Sequence, residues 1–366
     1  MRKYRFNNLA LVGLLLMAIP VVAQKPAPTP KLVDDDVIKV ESRLVVVPVS
    51  VTDSNGQPVL GLKSQDFRVA EENKQQTIDN VGTADVVPLE IALLFDVSAS
   101  TDTMFKFEQE TAASFLKDVM RANDHATIFT VGQRAVLVQS RDSAQKSIES
   151  IRAITPTKEQ TAFYDSLRVS ADYLKKNAPQ GVRKVIVIIS DGEDTNSEGI
   201  VRAIWNAERK ITDDIQGEKL RDLRVKARDG AKLAEQVRVL RSLQDADTVF
   251  YSINPAGSSY QLNKMSVFGQ SNMQRFADET GGTAFLPKFL PNDTKDNLQN
   301  ESNTRKNQDV LERIFRQLAN ELRSQYLIQY YSEADFPLNK FVKLDVGLPN
   351  RSGLRIRARQ GYFVKK

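Results

Sequence analysis

The stretch Leu89-Glu90-Ile91-Ala92-Leu93-Leu94-Phe95 is apolar at all but one position and stops abruptly at Asp96-Val97-Ser98-Ala99-Ser100. A run this apolar has no face to offer water, which predicts a buried strand of a parallel sheet. Comparable runs predict strands at Ala126–Gly132, Ala135–Gln139, Lys184–Ser190 and Thr248–Ile253, with a short one at Thr283–Leu286. Between them the apolar positions take a helical spacing, near Met104–Met120, Ser143–Ile154, Ala162–Lys176, Gln261–Thr280 and Asn307–Ser324. Gly281-Gly282 supplies a helix stop. Strands alternating with helices predict an α/β unit with a mostly parallel sheet and helices on both faces.

The flanks follow the two-residue period of half-buried strands. Leu44-Val45-Val46-Val47-Pro48-Val49-Ser50-Val51-Thr52 is rich in β-branched residues and ends at Asn55-Gly56, a hairpin signal. Short strands fit around Phe67-Arg68-Val69 and Gln76-Thr77-Ile78. After Ser324, strands return at Tyr326–Tyr331, Phe341–Val346, Leu354–Ala358 and Tyr362–Val364. Isolated hairpins are marginal in water. The two flanks are therefore expected to combine into one small β-sandwich with the α/β unit inserted between them.

Between Asp191 and Thr248 lies more chain than one crossover helix needs. Residues 200–245 alternate charges, and Leu220, Leu223, Leu233, Val237, Leu240 and Leu243 step by three or four. Gly217 and Gly230 are expected to break the segment into pieces. It reads as an amphipathic insertion, either a long helix packed on the sheet or an arm for a partner.

The N-terminus changes the setting. Arg2, Lys3 and Arg5 precede the apolar core Leu9–Ile19, and Val21-Val22-Ala23 offers a cleavage site. This is the pattern of a secretory signal over residues 1–23, and the core is short for a membrane span. Residues 24–41 follow as a linker with Pro26, Pro28, Pro30 and Asp34-Asp35-Asp36. The remaining organisation is a β unit over 42–87, the α/β domain over 88–324 carrying the 200–245 insertion, and C-terminal strands over 325–366. The formal charge of +5 falls to +2 without Arg2, Lys3 and Arg5. So small an excess gives no footprint for nucleic acid or anionic membrane. The chain has no cysteine, which excludes disulfides, a thiolate metal site and a Cys nucleophile. An exported chain is then held by its core alone, which this length permits.

A strand ending in an acid and two hydroxyls presents oxygen atoms at the carboxyl edge of the sheet, where open α/β folds place ligands. Oxygen donors suit a hard cation such as Mg2+ or Mn2+. Three further segments follow in order: Gln160-Thr161-Ala162, Asp191-Gly192 after Val185–Ser190, and Phe276–Gly282 before the last short strand. This set resembles the von Willebrand factor type A (VWA) domain, and the wider layout resembles bacterial exported VWFA-related proteins. The resemblance spans about Leu44 to the C-terminus. It implies a Rossmann-like VWA domain bearing a metal-ion-dependent adhesion site. In such a site Ser98, Ser100 and Thr161 bind Mg2+ (or Mn2+) through their hydroxyls. Asp96 and Asp191 act directly or through water, and an acidic side chain of a protein partner completes the coordination. It also implies a non-enzymatic, exported adhesion or interaction module, periplasmic or extracellular. The chain departs from the family at Glu159-Gln160, where two glycines usually precede the threonine, and Glu159 could itself reach the metal.

The same residues have plainer uses. Ser100 or Thr101 would cap a helix before Met104, and Thr161 one before Ala162. A hydrolase of phosphate esters with Asp96 as nucleophile and a scaffold with a purely structural metal are alternative functions. His125, the only histidine, reads as a surface turn residue, so a zinc site lacks ligands. No P-loop occurs. Glu193-Asp194 reads as a solvated loop or an acidic rim, and Trp205, Tyr330 and Tyr331 as packing residues.

Overall fold

The computed structural model describes residues 42–98, 102–157, 159–209, 217–255, 257, 264–291 and 295–365. The expected signal, the linker and Ser100 lie outside the described residues. Chain order begins with β1 (Arg43–Thr52), β2 (Arg68–Glu71), β3 (Lys74–Gln76) and β4 (Ile78–Thr83). The central unit follows: β5 (Leu89–Asp96), α1 (Asp102–Val119), β6 (His125–Val131), β7 (Ala135–Asp142), α2 (Ala144–Arg152), α3 (Phe163–Asn177) and β8 (Arg183–Ile189). It continues through α4 (Glu198–Glu208), α5 (Glu218–Asp245), β9 (Thr248–Ile253), α6 (Lys264–Thr280), β10 (Ala284–Phe285) and α7 (Asn297–Ser324). The chain closes with β11 (Tyr326–Ser332), β12 (Phe341–Gly347), β13 (Arg355–Ala358) and β14 (Gly361–Phe363).

The central sheet has the order β10-β9-β8-β5-β6-β7, parallel except for β7. Its two faces follow from the alternation of side chains along β5. Leu89, Ile91, Leu93 and Phe95 point to one side, packing with Phe115 and Leu116 of α1 and Phe315 and Leu318 of α7. Ala92 and Leu94 point to the other, with Phe163 and Leu167 of α3, Leu240 and Leu243 of α5, and Phe276 of α6. Both faces are covered, which accounts for the apolar residues of β5 between Glu90 and Asp96.

The flanks pair as expected. β1 lies between β11 and β13, antiparallel to both, and β4 extends that sheet beyond β11. β12 joins β14 and β2 in a second antiparallel sheet, extended by β3. The two sheets share one core, in which Val47 and Val49 meet Ile328, Tyr330 and Val342. At the hairpin after β1, Asp53 Oδ1 accepts the amides of Asn55 and Gln57 at 2.8 Å each, and Gly56 takes a φ of +78°. Gln325, between α7 and β11, anchors the sandwich to the central unit: it donates to Ser50 Oγ and the Tyr251 hydroxyl at 3.1 and 3.0 Å.

Three expectations need correction. α5 runs unbroken through Gly230, where an added Cβ would meet nothing within 4 Å; Gly217, as expected, stands at a break, at the N-cap of α5 after α4 has ended. Its buried face is Lys232, Glu235, Gln236, Val239, Leu240 and Leu243, whereas Leu233 and Val237 are exposed. The second half of α5 is thus sheet-covering helix, and its first half is exposed or half-buried. α7 starts at Asn297, well before the expected Asn307, because Asp296 Oδ1 caps it by accepting from Leu298 N and Gln299 N. Of the three aromatic residues expected to pack, only Tyr330 is buried. Tyr331 lies on the outer face of its sheet, and Trp205 is 55 % exposed under the Arg209 guanidinium.

Candidate metal centre at the carboxyl edge of the sheet

β5 and β8 are parallel neighbours, with Phe95 opposite Ile189, so both strands deliver their terminal acids to the same edge. Each aspartate folds back over its own chain: Asp96 Oδ1 accepts from Ser98 N at 3.0 Å, and Asp191 Oδ1 accepts from Glu193 N at 2.9 Å. Such turns are a local habit of Asp. Ser190 Oγ donates to Asp96 Oδ2 at 2.6 Å and accepts from Gly192 N at 3.1 Å, which links the two turns. Gly192 has a φ of +76°, and a Cβ there would stand 2.9 Å from Gly269 O of α6. The loop after Asp191 therefore needs glycine both for its conformation and for the close approach of α6.

Both carboxyls are partly buried. Burial pushes the Asp96 carboxyl above the usual carboxylate range, against hydrogen bonds from Ser190 and Ser98. Burial pushes Asp191 up to about 6, helped by the charges of Asp96 and Glu193. The strongest influences on the pair are desolvation, hydroxyls, amides and other acids, and none is a Lys, Arg or His. Two desolvated acids repelling each other without a base are out of balance unless a cation joins them.

Thr161 approaches from the loop before α3. That loop is tied to the ends of β5 and β6, through Thr157 N to Val97 O at 2.9 Å and Ala162 N to Gly132 O at 2.7 Å. The helix-cap alternative for Thr161 fails. The cap position is Ala162, which has no side chain to offer, and the orphan amides are taken from across the site. Tyr164 N donates to Asp194 Oδ2 at 2.9 Å and Asp165 N to Ser197 Oγ at 3.1 Å. Asp165 Oδ2 returns the favour to Glu198 N, at the start of α4, at 2.7 Å. Thr161 itself is held by its backbone: its N–H donates to Thr195 Oγ1 at 3.0 Å, and its carbonyl accepts from Thr195 N and Asn196 N. Asp194, expected in a solvated loop or an acidic rim, is instead 1 % exposed. The signal for this role was the run of capping types Asp194-Thr195-Asn196-Ser197 before a helix, which sequence reasoning passed over.

The structure thus brings Asp96, Ser98 and Asp191 to one edge and ties the Thr161 loop to the loop that follows Asp191. Glu159 is exposed, its Oε2 standing 3.7 Å from where a Cβ on Gly132 would lie. Among the described residues no group of three or more acids or histidines is placed to hold a metal. A cation here would need hydroxyl oxygens beside the two carboxylates. That all-oxygen donor set, with two uncompensated acids, fits a hard divalent ion. His125 sits at the opposite edge, its Nδ1 2.8 Å from Arg141 Nη2. Among the described residues no helix is long and apolar enough to cross a membrane.

Residues 91–193 match the family model of the von Willebrand factor type A domain. No curated protein matches the chain. Among solved structures, an aerotolerance-related membrane protein from Bacteroides fragilis is 12% identical with a TM-score of 0.32, over 60% of this chain and 99% of that one. The PilB minor pilin from Streptococcus sanguinis is 14% identical with a TM-score of 0.39, over 65% and 63%. Proximal thread matrix protein 1 from the mussel byssus, solved with a zinc-occupied MIDAS motif, is 12% identical with a TM-score of 0.38, over 69% and 50%.

Proposed function

Because the chain carries a von Willebrand factor type A domain, we propose that it is an exported, non-enzymatic binding module. It grips an acidic side chain of a protein partner through a Mg2+ or Mn2+ ion at the carboxyl edge of its central sheet. The observation that carries this is the pair Asp96 and Asp191, partly buried side by side with no base among their strongest influences. Asp96, Ser98, Ser100, Thr161 and Asp191 would hold the ion. When bound, such an ion keeps much of its charge, since the hydroxyl donors are neutral, and offers an open position to an anionic ligand.

The protein's own residues do the rest. Ser190 and the Ser98 amide hold Asp96 in place, and the Glu193 amide holds Asp191. The Thr157 and Ala162 amides fix the Thr161 loop against the ends of β5 and β6. Together these hydrogen bonds tie the candidate edge to its neighbouring loops. Among the described residues no histidine stands near it, because the side chain of His125 is engaged with Arg141 and Glu90 at the other edge.

Titration calorimetry tests the reading. The mature chain is expected to bind one Mg2+ or Mn2+ ion weakly, and Ser98→Ala/Ser100→Ala to lose about tenfold or more in affinity. Equal binding by the double variant would remove the site from these residues.

A further inference from the structure

Thr161 and Asp191 lie on separate segments, and Asp194 is the buried acid among the side chains that join those segments. Both of its oxygens are occupied: Oδ1 accepts from Ser197 N at 3.0 Å, and Oδ2 accepts from Tyr164 N at 2.9 Å and Ser197 Oγ at 2.5 Å. One side of this contact leads back along the chain to Asp191 and the other to Thr161, whose backbone is gripped by Thr195 and Asn196 of the same loop. The result is a closed clasp across two sides of the candidate metal centre. Capping alone does not account for an acid here. Ser or Asn caps a helix as well as Asp, and a carboxylate that is 1 % exposed is costly to keep. Its charge does suit the positive end of α3, which draws the 161–165 segment firmly against the loop that carries Asp191.

We propose that Asp194 is a positioning residue of the cation site, fixing where Thr161 stands relative to Asp191. The inference rests on the metal reading above. It places Asp194 among the outer groups that orient ligands, whose loss typically weakens metal binding by 10–100-fold.

The test is Mn2+ binding to the full chain, with free Mn2+ read by electron paramagnetic resonance up to concentrations that titrate the weakest variant. Asp194→Asn is expected to weaken binding by about tenfold or more, in the unaltered chain and equally in Ser98→Ala. In Thr161→Ala, where no hydroxyl remains to be positioned, it should cost less than about twofold, since residues acting through one another are not additive. A merely structural role would lower the melting temperature but leave the loss the same in every background, and that result overturns the inference. If Asp194→Asn does not fold, Thr195→Val takes its place. It removes the oxygen that accepts the Thr161 N–H, and a smaller loss is expected, again absent in Thr161→Ala. No Mn2+ binding by the unaltered chain overturns the metal reading itself. Binding by that chain, with no loss in either variant, overturns the positioning role alone.

Discussion

The two ends of β5 each carry an acid, and the molecule treats them in opposite ways. At the start, Glu90 is buried with Arg141 Nη2 2.7 Å away. Beside it Asp124, also buried, accepts the amides of Leu89 and Arg121 at 2.7 Å each and meets Arg323 of α7. At the end of the same strand, burial is the strongest influence on Asp96 and its neighbour Asp191, and the groups that act on them are hydroxyls, amides and, for Asp191, the charges of Asp96 and Glu193. A buried acid with a base and satisfied oxygens is part of the scaffold. A pair of acids without one is a charge left for something else to balance. The contrast falls on the same edge of the sheet as the Asp96-x-Ser98-x-Ser100 motif.

The paired end is where the largest effect is expected. Arg323→Ala leaves Asp124 buried without its base and also removes the donor to Val119 O. Breaking a buried pair from one side typically costs 3–5 kcal/mol, so urea unfolding should show a loss of about 3 kcal/mol. A loss below about 1 kcal/mol would mean that this end is no better balanced than the other, and the contrast would fail.

A smaller effect is expected where the sandwich meets the central unit. Burial alone would raise the Asp247 carboxyl, but Arg359, Lys184 and Lys365 outweigh it and hold it below its ordinary 3.8. An acid depressed in the folded state adds stability above its unfolded value, and that stability is lost as pH falls through the folded value. Asp247→Asn should therefore cost less than about 1 kcal/mol at pH 7, since Asp247 itself is exposed, and should flatten the acid arm of the stability curve below about pH 4. The backbone there has a φ of +57°, which Asn tolerates. An acid arm unchanged in the variant would show that other carboxyls set it.

How far the sequence revealed all this depended on how much of each element's stability is local. The strands were legible because β5, β8 and β9 are covered on both faces, and their apolar runs say so directly. The flanking sandwich followed from the need of two marginal β segments for a partner. The first turns of α7 were not legible, because Asn297–Lys306 has almost no apolar spacing. They stand on the Asp296 cap and on Asn303 and Asn307, whose side chains bond to the carbonyls of Pro291 and Leu290. α5 misled for a related reason. Its buried face includes Glu235, between Arg168 and Arg238, and Gln236, bonded to Asn272, so hydropathy placed the apolar stripe one step around the helix. At the edge, Asp96 and Asp191 were visible as the points where apolar strands stop. Asp194 was only half visible, because its contact with Ser197 is local whereas Tyr164 reaches it only in the folded chain.

Whether the Asp96–Asp191 pair is built to be neutralised by a cation is decided by thermal melting of the unaltered chain and Asp96→Asn, each with EDTA and with excess Mn2+. A ligand that binds only the folded state raises the melting temperature as its concentration exceeds Kd. The unaltered chain should therefore melt higher with Mn2+ than with EDTA. Asp96→Asn, relieved of one uncompensated acid, should melt in EDTA at or above the unaltered chain and gain nothing from Mn2+. If instead Asp96→Asn is strongly destabilised in EDTA, or both proteins respond to Mn2+ alike, the pair belongs to the scaffold as Glu90 does, and the account is contradicted.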